Sequence, residues 1–128
     1  MIFLSKLFTQ KPKLTWEQAV QDLTDFENFN EARFTRAYYA IDELSNESRV
    51  PELYELLSHH EYIVREAAAY PLARIEGIKS LPYLLEALIR GEEDGHDNDS
   101  LAGVISNLLE LNKKRISGRF DGNIQNRK

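Results

Sequence analysis

Pro51-Glu52-Leu53-Tyr54-Glu55-Leu56-Leu57 returns 31 positions later as Pro82-Tyr83-Leu84-Leu85-Glu86-Ala87-Leu88, with Pro51/Pro82, Leu53/Leu84, Glu55/Glu86 and Leu57/Leu88 in register. The offset continues upstream, pairing Ala37 with Ala68, Tyr39 with Tyr70, Ile41 with Leu72 and Leu44 with Ile75. Self-similarity at this period marks stacked helical hairpins, because one such unit cannot bury its apolar face alone. The expected fold class is therefore all-α, an α-α superhelix of about three hairpins stacked with right-handed sense. Such arrays are mostly binding surfaces, so a partner is sought before a catalyst.

Working outward from the repeat, six helices can be placed. The first opens at Thr15-Trp16-Glu17-Gln18, a capping-box pattern, and steps through Trp16, Ala19, Val20, Leu23 and Phe26. Asn30 caps the second, which runs to about Leu44 with Phe34, Ala37, Tyr38, Ile41 and Leu44 as its apolar stripe. The third spans about 47–58, with Pro51 in its opening turns. The fourth runs from about Tyr62 to Ile75, burying Val64, Ala67, Ala68, Leu72 and Ile75, and is closed by Gly77. Pro71 inside it predicts a kink. The fifth, roughly 78–90, buries Leu81, Leu84, Leu85 and Leu88 and stops at Gly91, and the sixth, about 100–112, buries Leu101, Val104, Ile105, Leu108 and Leu109. Val64 matches Leu101 at an offset of 37, so the segment Gly91–Asp99 holds six extra residues. Insertions in repeat arrays fall in loops on one face, often the binding face.

The sequence Val-Pro-x-Leu-x-x-Leu-Leu (50–57), followed by Val-Arg-Glu-Ala-Ala-Ala (64–69) and Leu-Ala-Arg-Ile-Glu-Gly (72–77), resembles the short HEAT-like repeats of about thirty residues, the subtype that includes the phycobilin-lyase relatives. The resemblance is most specific over 46–90 and covers about three repeats. It implies three regions: an N-terminal segment (1–13), a repeat domain (14–111) and a basic, flexible tail (112–128). In that family the second helix of each pair lines the concave face, where partners sit. By resemblance, Tyr39, Tyr70 and Asn107 share one row of that face, and Glu43, Arg74 and Leu111 the next, with Glu66 and Glu110 nearby. The two tyrosines read either as interface anchors or as rings packed on adjacent helices. Arg65, at the family's Val-Arg step, implies a structural pair with a carboxylate of an adjacent repeat.

Composition bounds the chemistry. The chain has 128 residues, no cysteine and three histidines, His59, His60 and His96, so thiolate chemistry is excluded and a His-based metal site is poorly supplied. His59-His60-Glu61 reads as a polar turn, since adjacent helical side chains diverge by about 100°. Asp97 and Asp99 begin an EF-hand pattern that fails at Leu101 and Ala102. No phosphate loop, nucleophile elbow or HExxH motif is present. No enzyme activity, cofactor or metal is expected. The apolar start, Met-Ile-Phe-Leu-Ser-Lys-Leu-Phe, lacks the basic region and cleavage site of a signal peptide, and no stretch approaches the ~20 apolar residues of a membrane span, so a cytoplasmic, monomeric protein is expected.

The net charge of −5 is uneven: residues 112–128 carry six cations against Asp121, which leaves −10 on the remainder. A body of that charge repels phosphate backbones and favours cationic surfaces, or simply keeps the protein soluble. The partner expected is a basic protein, met by Tyr39, Glu43, Glu66, Tyr70, Arg74, Asn107 and Glu110 together with Glu92, Glu93, Asp94, Asp97 and Asp99 of the insertion. The most concrete version is an immunity protein, an antitoxin covering a nuclease-like toxin. The alternatives are a scaffold or regulator related to bilin lyases, or a nucleic-acid-binding HEAT-like protein, for which a basic concave face is wanting.

Overall fold

The computed structural model describes the backbone of residues 13–126 and side chains as far as residue 116, so the expectations for residues 1–12, for 127–128 and for the last side chains lie outside the described residues. The described residues form an all-α fold without strands: α1 (Trp16–Thr24), α2 (Glu31–Leu44), α3 (Val50–Leu57), α4 (Tyr62–Glu76), α5 (Leu81–Glu93) and α6 (Asp99–Asn126). Short 3₁₀ turns, Glu47–Arg49 and Gly77–Ser80, precede α3 and α5. They divide into two compact units that meet in sequence between Leu44 and Ser45.

In the first unit, α1 packs against α2. The capping box forms as expected: the Gln18 N–H donates to Thr15 Oγ1 (3.1 Å) and the Thr15 N–H to Gln18 Oε1 (3.0 Å). Asn30 caps α2 by accepting from the Arg33 N–H at 3.0 Å. Trp16, Ala19 and Leu23 of α1 meet Ala37 and Ile41 of α2 as the buried set. Phe26, Phe29 and Phe34 associate at the turn between them, Phe29 and Phe34 with ring centroids 5.5 Å apart.

The second unit holds two hairpins, α3–α4 and α5–α6. The first helices, α3 and α5, are neighbours, and so are the second helices, α4 and α6. That arrangement is what the 31-residue period requires locally. The core comprises Leu53, Leu56 and Leu57 of α3, Val64, Ala68 and Leu72 of α4, Leu84 and Ala87 of α5, and Leu101, Ile105 and Leu108 of α6. Gly77 closes α4 at φ 61°, its N–H donating to the Ala73 carbonyl. A left-handed φ costs least at glycine.

Four expectations need correction. Gly91 does not stop α5, which continues to Glu93. Gly91 is buried inside the helix because a Cβ there would run into the side chain of Asn98. The helix is closed instead by Gly95, at φ 77°. The Gly95 N–H donates to Glu92 O (3.1 Å) and the His96 N–H to Gly91 O (2.9 Å), a Schellman motif.

The sixth helix does not end near 112; it runs to Asn126. Lys113, Lys114 and Arg115 are good helix formers, and an interior glycine such as Gly118 or Gly122 costs only about 1 kcal/mol. Two leucines expected in the core are not there: Leu85 is 39% exposed and Leu109 46%. Leu72, the register equivalent of Leu109, is fully buried because the α5–α6 hairpin covers it. Apolar spacing marks the facing stripe, but the last hairpin of the unit has no further hairpin within it to complete the cover.

Finally, Arg65 makes no ion pair among the described residues. It is 2% exposed, and its Nη1 donates to the carbonyls of His59 (2.8 Å) and His60 (3.1 Å). Arg90 Nη1 donates to the adjacent Ser58 carbonyl at 3.0 Å. These three carbonyls follow the C-terminus of α3, where unpaired acceptors and a partial negative charge attract cations. Burial, then the neighbouring Arg90, lowers the guanidinium pKa of Arg65, with Asp94 and Glu61 acting in the opposite direction.

Candidate functional site

The second-helix face of the second unit, α4 beside α6, gathers Tyr70, Arg74, Asn107 and Glu110 of the expected site residues, whereas Glu93 lines the surface between α3 and α5. Positions 66, 70 and 74 follow one another along α4 at four-residue steps and so share a side of the helix. On α6 the corresponding side carries Val104, Asn107, Leu111 and Lys114. Between the two lies an open groove of about 680 Å³. Tyr70, Arg74 and Asn107 line it, as the register implies, and so does Glu110. Tyr70 is 55% exposed, so its ring is not consumed by packing. Ala73, Ile78, Val104, Leu108 and Leu111 supply an apolar floor.

At the N-terminal end of this face stands the acidic insertion. Glu92 and Glu93 lie on the last turn of α5, Asp99 opens α6, and Asp94 and Asp97 occupy the turn between; all five are exposed. The turn is docked on α4 by the His96 ring, stacked on Tyr62 with centroids 4.1 Å apart and planes 20° from parallel. Asn98 Nδ2 donates to the Leu88 carbonyl at 3.1 Å, and Asp97 Oδ1 accepts from the Asp99 N–H at 3.0 Å. Glu66 faces this turn. Burial pushes its carboxyl above the usual range, the negative charge of Asp97 adds to the shift, and His96 opposes it. Asp97, Glu66, Tyr70 and Asn107 thus succeed one another from the insertion into the groove.

The C-terminal end of the groove is different. Lys114 and Arg115 line it beside Arg74, with Glu110 as the one carboxylate among the lining residues. The expectation of a mainly acidic or neutral face therefore holds only at the insertion end. The register contained the signal: Gly77 and Ile78, advanced by 37, give Lys114 and Arg115. Ending the sixth helix at 112 hid it. Tyr39 and Glu43 lie in the first unit, both exposed on α2, with the Tyr39 ring edge-on to Tyr38 at 5.6 Å.

A second open surface of the same unit, about 990 Å³, lies between α3 and α5, where sequence reading placed only Glu93. Tyr54 and Tyr83 meet edge to face at 4.8 Å, and the Tyr54 hydroxyl donates to Glu76 Oε1 at 3.4 Å. Burial, then the Glu76 charge, raises the pKa of that phenol. Lys79, Glu86, Arg90 and Glu93 surround the pair, which leaves a mixed-charge surface without a distinct chemical character. Among the described residues no group of three or more His, Asp and Glu is placed to hold a metal ion, and no helix is long and apolar enough to cross a membrane. Comparison of the chain with family models, with curated proteins and with solved structures finds no match.

Proposed function

We propose that this chain is a non-catalytic protein-binding module, a short HEAT-like array whose α4–α6 face takes a basic partner protein. Its most concrete form is an immunity protein that covers a cognate nuclease-like toxin. The observation that carries the reading is the placement of Asp97 beside Glu66 at one end of that face, within the exposed acidic run Glu92, Glu93, Asp94, Asp97 and Asp99. Such a cluster accelerates encounter with a cationic surface. Tyr70, exposed one turn beyond Glu66, supplies anchor area next to the charge, where binding energy concentrates. The stacking of α3–α4 on α5–α6 supports the repeat reading.

The test is co-expression with a cationic nuclease domain encoded beside the gene, followed by stopped-flow kinetics on the purified complex. Asp94→Lys/Asp97→Lys/Asp99→Lys is expected to slow association about tenfold at low salt, with the effect shrinking as salt rises. Tyr70→Ala is expected to speed dissociation by about 30-fold, roughly 2 kcal/mol. If neither rate changes in folded variants, or the nuclease is not inhibited by the wild-type chain, the proposal fails.

A further inference from the structure

The cationic end of the α4–α6 groove has its own chemistry, opposite in sign to the rest of the molecule. A chain with −10 outside residues 112–128 places Arg74, Lys114 and Arg115 around one apolar floor, with Glu110 as the one carboxylate among the lining residues. Ile78 and Leu111 are exposed there, Leu111 strongly, and Tyr70 lines the groove toward the insertion. The exposed apolar area has a direction, because α4 and α6 bound it on both sides along their axes. From Val104 to Arg115, α6 offers about 17 Å of groove, the length of a three-turn helix.

We propose that this end of the groove binds a short amphipathic peptide segment of a partner, apolar on one face and carrying carboxylates that meet Arg74, Lys114 and Arg115. The inference rests on the reading of the α4–α6 face as a protein-binding surface and adds a second, oppositely charged determinant to it. Charge complementarity selects the occupant. A basic segment would be repelled here and drawn to the insertion end, whereas an acidic segment without apolar residues would leave Ile78 and Leu111 in water. A helix laid in a groove places its apolar residues at i, i+3 and i+4 into the floor and its polar face outward to the rim. Lys114 and Arg115 also sit near the C-terminus of α4, where cations offset the helix dipole, and the experiment separates that role from recognition.

The experiment uses the full chain and a fluorescein-labelled helical peptide of about 15 residues, with Leu at i and i+4 positions and Glu elsewhere. Two controls are the same peptide with Lys for Glu and the same peptide with Ser for Leu. Fluorescence anisotropy is expected to show saturable binding of the Leu/Glu peptide, weakened at least about tenfold by Lys114→Glu/Arg115→Glu and by Leu111→Asp. Asp94→Lys/Asp97→Lys/Asp99→Lys is expected to leave it unchanged or tighten it. Absence of saturable binding to the wild-type chain overturns the proposal, as does binding that ignores Lys114→Glu/Arg115→Glu, or equal binding of the Lys peptide. If Lys114→Gln/Arg115→Gln lowers the melting temperature while affinity is retained, the cations serve only the helix end and the proposal is again overturned. Association of a basic partner at the insertion end is read independently in the same variants, so either site can fail alone.

Discussion

Replacing Arg65 by Met removes the side chain that closes the turn between α3 and α4. The arginine is 2% exposed and donates two charge-assisted hydrogen bonds, to His59 O at 2.8 Å and His60 O at 3.1 Å. Such bonds are worth about 1.5–3 kcal/mol each, so their gross loss is roughly 3–6 kcal/mol. Two effects reduce it. Met relieves the cost of holding a cation out of water, and His60 is exposed, so its carbonyl recovers hydration. A net loss of about 2 kcal/mol results, which in a cooperative unit of this size lowers the melting temperature by roughly 8–16 °C. Arg65→Lys keeps the buried charge, but its shorter side chain ends before the position from which Nη1 meets both carbonyls, and it is expected to be no more stable than the Met variant. Thermal melts followed by circular dichroism measure both. A Met variant melting within about 2 °C of wild type would refute the clamp. So would a Lys variant as stable as wild type, since one ammonium would then suffice.

Ala68 is fully buried in α4, so Ala68→Glu leaves an unpaired carboxylate in the core and is expected to cost about 3–5 kcal/mol; a wild-type melt would mean that α4 is wrongly packed. Glu66 has a folded pKa raised by burial and by Asp97, so the native state binds its proton before the unfolded chain does. Stability from this group therefore rises as pH falls from its raised value toward the unfolded value, and falls as pH rises through that window. Glu66→Gln is expected to melt above wild type at neutral pH, with the advantage vanishing below the ordinary glutamate pKa; urea titrations across pH 3–8 check this.

Much of the fold was legible because caps and spacing act locally. Thr15 with Gln18, Asn30 and Gly77 set helix ends through their own hydrogen bonds, and the second unit repeats its hairpin as the register demands. What failed depended on neighbours. Gly91 and Gly95 look alike in sequence, but one permits the approach of Asn98 while the other takes a left-handed φ. Leu85 and Leu109 obey the apolar period, yet periodicity says which residues share a face and not whether anything lies against it. The site divides in the same way. Register placed Tyr70, Arg74 and Asn107 on one face, with Glu110 nearby, and they share the groove, while Lys114 and Arg115 needed the last helix to continue beyond the point where its apolar pattern fades.

The manner in which the insertion is built has an entropic consequence. Of its five carboxylates, Glu92 and Glu93 ride on α5 and Asp99 on α6, and the turn carrying the other two is held by the Gly95 closure, the Asn98 bond and the His96–Tyr62 stack. An added segment of this length, left as a loose loop, would have to be ordered by whatever docks on it, at about 1–2 kcal/mol per residue of backbone. Here folding itself supplies that ordering. A binding partner is left to immobilise only side chains, at about 0.5–1.5 kcal/mol each, so the charged edge is presented with its backbone already fixed.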